Sequence, residues 1–160
     1  MNYTLEHSAH GLVTEVGEIV DTFKRCKYYG VELDVKNLVE EIGDVLWYVS
    51  LGYYALGEII PELSPSLRPT VENNIKTLVR RASDIFYFNH EIYREDFDYL
   101  LSEVLGLCLH LEINIEECAE ANINKLLKRY PDKFTQELAI NRNKEHELSH
   151  ITEEGKVKNG

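Results

Sequence analysis

Cysteine, proline and positive charge are all scarce in this sequence. Of its 160 residues, 3 are Cys, 4 are Pro and 17 are Lys or Arg, against 28 Asp or Glu. The three cysteines form no CxxC motif and lie in apolar stretches with helical spacing: Cys26, Cys108 and Cys118. An odd number of isolated cysteines predicts free thiols in the core of a protein from a reducing compartment, rather than disulfide partners.

The shortage of Lys and Arg leaves a formal net charge of -11. A surface of that sign repels duplex DNA, RNA and anionic lipid unless a metal ion intervenes. The sequence therefore predicts that neither a nucleic-acid polymer nor a membrane is a partner.

Targeting signals are also missing from the start of the sequence. The first residues, MNYTLEHSAHG, contain neither the basic segment nor the apolar segment of a signal peptide. No apolar run approaches the length needed to span a membrane. We expect a cytoplasmic protein.

What the sequence does contain is helical periodicity. Hydrophobic residues make up 44% and charged residues 28%, ordinary values for one folded domain of this length. Apolar residues at helical spacing predict a first helix from Leu5 to Tyr28. A second helix should begin after an N-cap at Asp34 and end near Gly57. Because the link between them is short, the two helices should pack antiparallel.

The rest of the chain is also predicted to be helical, after one interruption. The segment IIPELSPSLRPT holds three of the four prolines and predicts an extended connector. Two apolar helical stretches follow, and Asn114 opens a fifth helix that Pro131 ends. A short polar helix is expected from about Gln136 to His146, before a flexible polar tail over residues 148–160. The predicted fold is an all-α helical bundle of five to six helices, in a single domain over residues 1–147.

Two pairs of carboxylates lie in the first two predicted helices, one in EVGEIV and one in EEIGDVLW. Glu15 and Glu18 are three residues apart, and so are Glu41 and Asp44. Three residues along an α-helix rotate by about 300°, so the members of a pair lie about 60° apart on one face. Glu15 borders the apolar side of the first helix, and Glu41 and Asp44 border that of the second. The four carboxylates can therefore converge when the two helices pack.

Converging carboxylates repel one another and raise each other's pKa unless a cation neutralises them. Ligation by oxygen alone suits Mg²⁺, with Mn²⁺ as a second possibility, rather than zinc, since neither Cys nor His lies at ligand spacing beside them. We predict a metal site between the first two helices, formed by Glu15, Glu18, Glu41 and Asp44. The alternative is that these carboxylates are solvated acidic faces without a metal.

The motifs in these helices have a family resemblance. The stretch GLVTEVGEIVDTFKR, followed by NLVEEIGDVLWYVS, resembles the MazG-like branch of the all-α nucleoside triphosphate pyrophosphatases, of the phage and bacterial type. The signature of that family is ExxE on one helix and ExxD on the next, matched here by Glu15 with Glu18 and Glu41 with Asp44. A third block, ANINKLLKRYPDKFTQELAINR, resembles the segment that follows in such proteins.

The resemblance implies a Mg²⁺-dependent hydrolase that cleaves a nucleoside triphosphate between its α- and β-phosphates. The products would be a monophosphate and pyrophosphate, and the role would be to limit or cleanse a nucleotide pool. Glu18 and Glu41 are the candidate catalytic residues, because a glutamate that is not saturated by metal can orient or deprotonate the attacking water. If the protein is phage-encoded, its compartment is the host cytoplasm.

Amide, basic and aromatic side chains are candidates for contacting the nucleotide. Asn122, Lys125 and Arg129 form one polar stripe on the fifth helix, which by itself is equally consistent with a solvated face. The resemblance implies that the two cations meet phosphate while the amide contacts sugar or base. The other candidates are three cations and one aromatic residue: Lys24, Lys27, Arg142 and Trp47. For the lysines the alternative is local charge balance, and for the tryptophan, which has a base-stacking surface, it is core packing.

Residues 58–112 separate the two acidic helices from the Asn122 helix, whereas short members of the family pass almost directly from one to the other. Within this segment, Glu103 lies near the place that Asp44 has in the second helix. The segment is either a degenerate second helix pair that has lost its metal site or an unrelated helical insertion. An acidic hairpin alone leaves apolar surface exposed, so we expect a homodimer first and a tetramer second, with residues of both chains near the site.

Two other classes share parts of the pattern. A ferritin-like di-metal oxidase needs paired ExxH motifs, and the one ExxH here is Glu147 with His150 in the tail. A non-enzymatic acidic helical interaction module would make the carboxylates surface features, and it predicts no dependence on metal.

Overall fold

A computed structural model describes residues 3–87 and 91–130, and within these ranges the chain forms five α-helices and no strand. The helices are α1 (Tyr3–Tyr29), α2 (Val35–Leu56), α3 (Val71–Tyr87), α4 (Arg94–Leu111) and α5 (Ile115–Arg129). The all-α prediction is confirmed. The sixth helix, the tail and the domain end at residue 147 that the sequence predicts lie outside the described residues.

The chain divides into two compact units, Met1–Asn124 and Lys125–Gly160. The first contains α1 to α4 and the larger part of α5. In the second, the structure describes the last turns of α5 and Tyr130.

The ends of α2 are those that the sequence predicts. At its start, Asp34 Oδ1 accepts a hydrogen bond from the backbone N of Asn37 at 2.9 Å, which satisfies one of the unpaired donors of the first turn. At its end, Gly57 adopts a left-handed backbone with φ 72°, which glycine reaches without steric cost. Both signals are contacts within a few residues, so they define the ends of α2 whatever the helix packs against.

α1 and α2 form an antiparallel hairpin. Near one end, Ser8 Oγ donates to the carbonyl oxygen of Tyr48 at 2.6 Å, and near the other, Asn37 Nδ2 donates to Thr22 Oγ1 at 2.8 Å. Between these bonds, the apolar stripes of both helices are buried in one core: Leu12, Val16 and Ile19 with Leu38, Ile42 and Val45. At roughly 1.5–3 kcal/mol for each buried side chain, this burial is the main force that holds the hairpin together.

α3 and α4 form a second antiparallel pair beside the first. Asn74 near the start of α3 donates to the Glu103 carbonyl oxygen in the second half of α4 at 3.0 Å. The guanidinium of Arg81, later in α3, lies 4.7 Å from the ring centre of Tyr99, early in α4. Since α3 also packs on α1, and α4 on α2, the order of helices around the bundle is α1, α2, α4, α3.

The segment between α2 and α3, residues 57–70, is a non-helical connector that runs along α4. The backbone N of Ser66 donates to the carbonyl oxygen of Ser102 at 2.8 Å. Close by, a Cβ added at Gly106 would lie 2.2 Å from the Ser66 carbonyl oxygen, so glycine permits this approach. Further along the connector, Arg68 forms an ion pair with the buried carboxylate of Glu103. The absence of a helix from this proline-containing segment agrees with the prediction.

Candidate metal centre

The α1–α2 hairpin brings three of the four predicted carboxylates together. Glu15 lies on α1, while Glu41 and Asp44 lie one turn apart on α2, and one carboxylate oxygen from each residue lies within 4.8 Å of the others. All three side chains are partly buried. Residues 3–87 and 91–130 form no other cluster of three or more side chains able to hold a metal. We call these three residues the carboxylate group.

Glu18 lies one turn after Glu15 on α1 but outside the carboxylate group. Its side chain is exposed, whereas Glu15 is partly buried against α2. The charge of Glu18 is nevertheless close enough to raise the pKa of Glu41. The structure therefore places Glu18 at the solvent-facing rim of the group.

The surroundings of Glu41 disfavour its charged form. Burial, followed by the negative charges of Glu15, Asp44, Glu40 and Glu18, raises the pKa of Glu41 to about 7 from an ordinary value of 4.5. A divalent cation bound to these oxygens would oppose both effects, because it stabilises the ionised carboxylate. The group thus has the electrostatic character of a cation site.

The chemistry of the donors fits a hard divalent ion. The carboxylate group offers oxygen atoms only, the ligands that Mg²⁺ and Mn²⁺ prefer. Its members come from two helices that are fixed by a common core, so the backbone positions that carry the three carboxylates are set by the fold itself.

α5 approaches α2 directly beside the carboxylate group. A Cβ added at Gly43 would lie 2.5 Å from the carbonyl oxygen of Cys118 and 3.0 Å from Asn122 Cβ. Asn122 is 4% exposed, and its Nδ2 donates a hydrogen bond to Asp44 Oδ1. The amide for which the resemblance implied a sugar or base contact is, in this structure, a partner of the carboxylate group.

The sequence contains one signal for this contact, a glycine in the middle of α2. Gly43 lies in the middle of a helix, where glycine costs roughly 0.5–1 kcal/mol relative to alanine. A glycine at such a position leaves room for another backbone to come close. What the sequence does not contain is the identity of that backbone, which is the Cys118 turn of α5.

The other proposed substrate residues lie at several places. Lys125, partly buried, and Arg129, exposed, belong to the last turns of α5, in the second compact unit, and Arg142 lies outside the described residues. Trp47, one turn after Asp44 on α2, is 45% exposed, which leaves part of its ring accessible to a base.

The two lysines of α1 are paired with other residues. Lys24 forms an ion pair with Asp21 on the same helix. Lys27 Nζ lies 3.1 Å from Glu72 Oε2 on α3 and 5.5 Å from the ring centre of Tyr28. These contacts are those expected if the lysines balance local charge. They direct Lys27 toward α3 rather than toward α2.

The two histidines of α1 pack against aromatic rings, and the three cysteines form no disulfide. His7 packs edge-on against Tyr48, and His10 packs edge-on against Phe86. The cysteines are free thiols, with Cys108 and Cys118 buried.

A scan of known families finds the same region that carries the motifs. Residues 3–63 match the MazG nucleotide pyrophosphohydrolase domain, a family whose members are typically metal-dependent. The match covers α1, α2 and the first half of the connector, less than half of the chain. No curated protein and no solved structure matches the chain. Within the described residues, no helix has the length and apolarity that crossing a membrane requires. The α1–α2 hairpin that carries the carboxylate group is therefore similar to the MazG nucleotide pyrophosphohydrolase domain.

Proposed function

We propose that the protein is a Mg²⁺-dependent nucleoside triphosphate pyrophosphohydrolase that cleaves the bond between the α- and β-phosphates. The observation that carries this proposal is the convergence of Glu15, Glu41 and Asp44 within 4.8 Å, inside the segment that matches the MazG domain. A partly buried group of three carboxylates raises the free energy of the metal-free protein, and a bound cation removes that cost.

In this proposal the carboxylate group holds Mg²⁺, or alternatively Mn²⁺. The ion supplies neutralisation of the triphosphate and polarisation of its oxygens. Glu41 and Glu18 are the proposed catalytic residues. Glu18 is exposed at the rim and is not needed to complete the group of three, so its carboxylate is the better placed to take the proton of the water that attacks phosphorus. The phosphoanhydride bond then breaks, leaving a monophosphate and pyrophosphate.

Contacts to the rest of the nucleotide are proposed from the positions of the remaining candidates. Trp47 lies beside Asp44 with 45% of its surface exposed, and it is proposed to stack on the base. Lys125 and Arg129 are proposed to meet phosphate oxygens, with Arg142 as a further cation. Lys24 and Lys27 stay weaker proposals, because their observed partners are Asp21 and Glu72.

A homodimer, with a tetramer as the next possibility, is part of the proposal. It is supported by large apolar side chains exposed on the chain, among them Tyr54 and Trp47 on α2. Residues of both chains are proposed to lie near the carboxylate group. The cytoplasmic location, the phage or bacterial origin and the role in controlling a nucleotide pool rest on the sequence alone.

The test is to incubate the purified protein with Mg²⁺ and a panel of ribonucleotides, deoxyribonucleotides and guanosine alarmones, and to separate the products. We expect monophosphate and pyrophosphate from at least one nucleotide, lost in EDTA and in Asp44→Asn. Asp84→Asn, which changes an exposed carboxylate on α3, is the matched control and should retain activity. Release of inorganic phosphate alone would contradict cleavage at the α–β bond. No turnover of any substrate would favour the acidic interaction module.

A further inference from the structure

Asn122 occupies a position that a nucleotide contact alone does not explain. Its side chain is buried to 4% exposure, and its Nδ2 donates to Asp44 Oδ1. Turning this amide toward a nucleotide would break that bond, and a buried donor without a partner costs about 1–3 kcal/mol. The observed bond is therefore expected to persist when substrate binds.

We infer that Asn122 is a positioning residue for the metal site, whose amide fixes the orientation of the Asp44 carboxylate toward Glu15 and Glu41. This inference rests on the proposed function, because it requires that the carboxylate group binds a divalent cation. It assigns Asn122 to the metal site itself rather than to the sugar or the base.

The physical reason is the rotational freedom of a carboxylate. Asp44 has two torsions, and a hydrogen bond to one of its oxygens restricts both. Residues that donate to ligating carboxylates orient them, and loss of such a donor typically weakens metal binding by about 10–100-fold. The positive end of the N–H dipole also opposes the repulsion that Asp44 experiences from Glu15 and Glu41, which lie within 4.8 Å.

Gly43 and Cys118 make the bond possible. The Cys118 carbonyl oxygen lies where a side chain on residue 43 would begin, and Cys118 itself is fully buried between the helices. A methyl group on Gly43 would meet backbone, which cannot turn aside as the end of a flexible side chain can. It would push α5 away from α2 and withdraw Asn122 from Asp44, with every ligand and the amide itself still present.

The experiment measures Mn²⁺ binding to the full chain without any nucleotide, from the paramagnetic resonance signal of free Mn²⁺. Asn122→Leu removes the donor at nearly constant volume, and Gly43→Ala displaces it. We expect both to weaken Mn²⁺ binding by about 10–100-fold. The matched controls are Asn124→Leu, an exposed asparagine on the same helix, and Gly17→Ala, where an added Cβ meets nothing within 4 Å. Both controls should bind Mn²⁺ as the natural chain does.

The inference is overturned if Asn122→Leu binds Mn²⁺ with unchanged affinity. Unchanged Mn²⁺ affinity with a raised KM would assign the amide to the nucleotide instead. If Asn122→Leu does not fold, as judged by circular dichroism, Gly43→Ala decides the question. A natural chain that binds Mn²⁺ but hydrolyses no nucleotide would end the proposed function and leave the positioning role intact. A natural chain that binds no Mn²⁺ would end both.

Discussion

Glu41 on α2 and Glu103 on α4 are carboxylates in neighbouring helices of one bundle, and their surroundings shift their pKa in opposite directions. Burial and four nearby carboxylates raise the pKa of Glu41 to about 7. Burial alone would raise the pKa of Glu103 too, but the hydrogen bonds and charge of Arg68, with the hydrogen bonds from Ser66 and Asn74, outweigh burial and lower it.

The difference lies in how the structure satisfies each charge. Glu103 is almost completely buried, and it accepts from Arg68 Nε at 3.1 Å, Ser66 Oγ at 2.9 Å and Asn74 Nδ2 at 2.8 Å. The negative charge of Glu103 is therefore neutralised and hydrogen-bonded within the protein. Among the described residues, the charges that shift the pKa of Glu41 are all of its own sign, so Glu41 would gain most from a bound cation. A carboxylate of the first kind stabilises a fold, and one of the second kind costs stability until it binds a cation.

The largest expected effect is on enzymatic activity, which should depend on the carboxylate group and not on Glu103. Glu15→Gln removes a member of the carboxylate group and should lower kcat/KM by at least about a hundredfold, a loss of about 2.7 kcal/mol of transition-state stabilisation. Glu103→Gln should leave the activity of the folded protein nearly unchanged. Steady-state kinetics with Mg²⁺ on the best substrate, with both proteins at equal folded concentration, checks the pair. Equal losses in both variants would remove the functional distinction between the two sites.

The next effect concerns stability and should follow the reverse order. Arg68→Met leaves Glu103 buried without its cation and should lower the free energy of unfolding by about 2–4 kcal/mol. This is somewhat less than the roughly 3–5 kcal/mol lost when a fully buried ion pair is broken, because Arg68 is itself partly exposed. Urea denaturation followed by circular dichroism gives the value.

A double-mutant cycle controls for the lost packing of the arginine side chain. Arg68→Met combined with Glu103→Gln should recover part of the loss, since the uncharged amide no longer needs a cation. No recovery would mean that Arg68 acts through its contacts along the connector and not through the charge of Glu103.

The third effect is a pH dependence of opposite sign at the two carboxylates, measured in EDTA. The folded protein holds the proton of Glu41 up to about pH 7, whereas the unfolded chain releases it near 4.5, so the free energy of unfolding falls as the pH rises between these values. Glu103 behaves in the opposite way: its contribution is present above pH 4.5 and is lost as the pH falls through its lowered pKa. Glu41→Gln should remove on the order of 1–2 kcal/mol of the fall between pH 5 and 7, allowing for the partial exposure of Glu41. A slope identical to that of the natural chain would contradict the raised pKa.

The smallest expected effect concerns a residue that belongs neither to the carboxylate group nor to the surroundings of Glu103. Lys27 is exposed and contacts Glu72 on α3, so Lys27→Ala should change kcat/KM by less than about twofold, since exposed ion pairs contribute little. Kinetics at low and high salt checks this. A large rise in KM that disappears in high salt would place Lys27 among the phosphate contacts after all.

Much of the hairpin could be predicted because its signals are local or periodic. Asp34 and Gly57 fix the ends of α2 through contacts within a few residues, and the apolar stripes define which faces meet. Those faces bring Glu15, Glu41 and Asp44 together, as the spacing indicated. The spacing did not predict that Glu18 lies outside the group. Glu15 and Glu18 are about 60° apart around α1, and which of the two faces α2 depends on how the helices pack, which the spacing does not specify.

The contacts between distant segments could not be predicted from the pattern. Arg68 and Glu103 are far apart in sequence, and neither lies in a motif that would connect them. The same holds for Asn122, which is part of a polar stripe but is buried on Asp44. Whether residues 58–112 derive from a duplicated helix pair stays a prediction.

The path of the connector has a consequence for dissecting the protein. The family match ends at residue 63, midway along this segment, while Arg68 lies beyond it beside Glu103. A chain divided after Glu62 would therefore yield one fragment with all three members of the carboxylate group and a second with the complete Arg68–Glu103 pair. Asn122 would be on the second fragment, with its bond to Asp44 spanning the division. Mixing the two fragments would thus test the positioning proposal, because Mn²⁺ binding that returns only in the mixture would report that the contact between Asn122 and Asp44 has formed again.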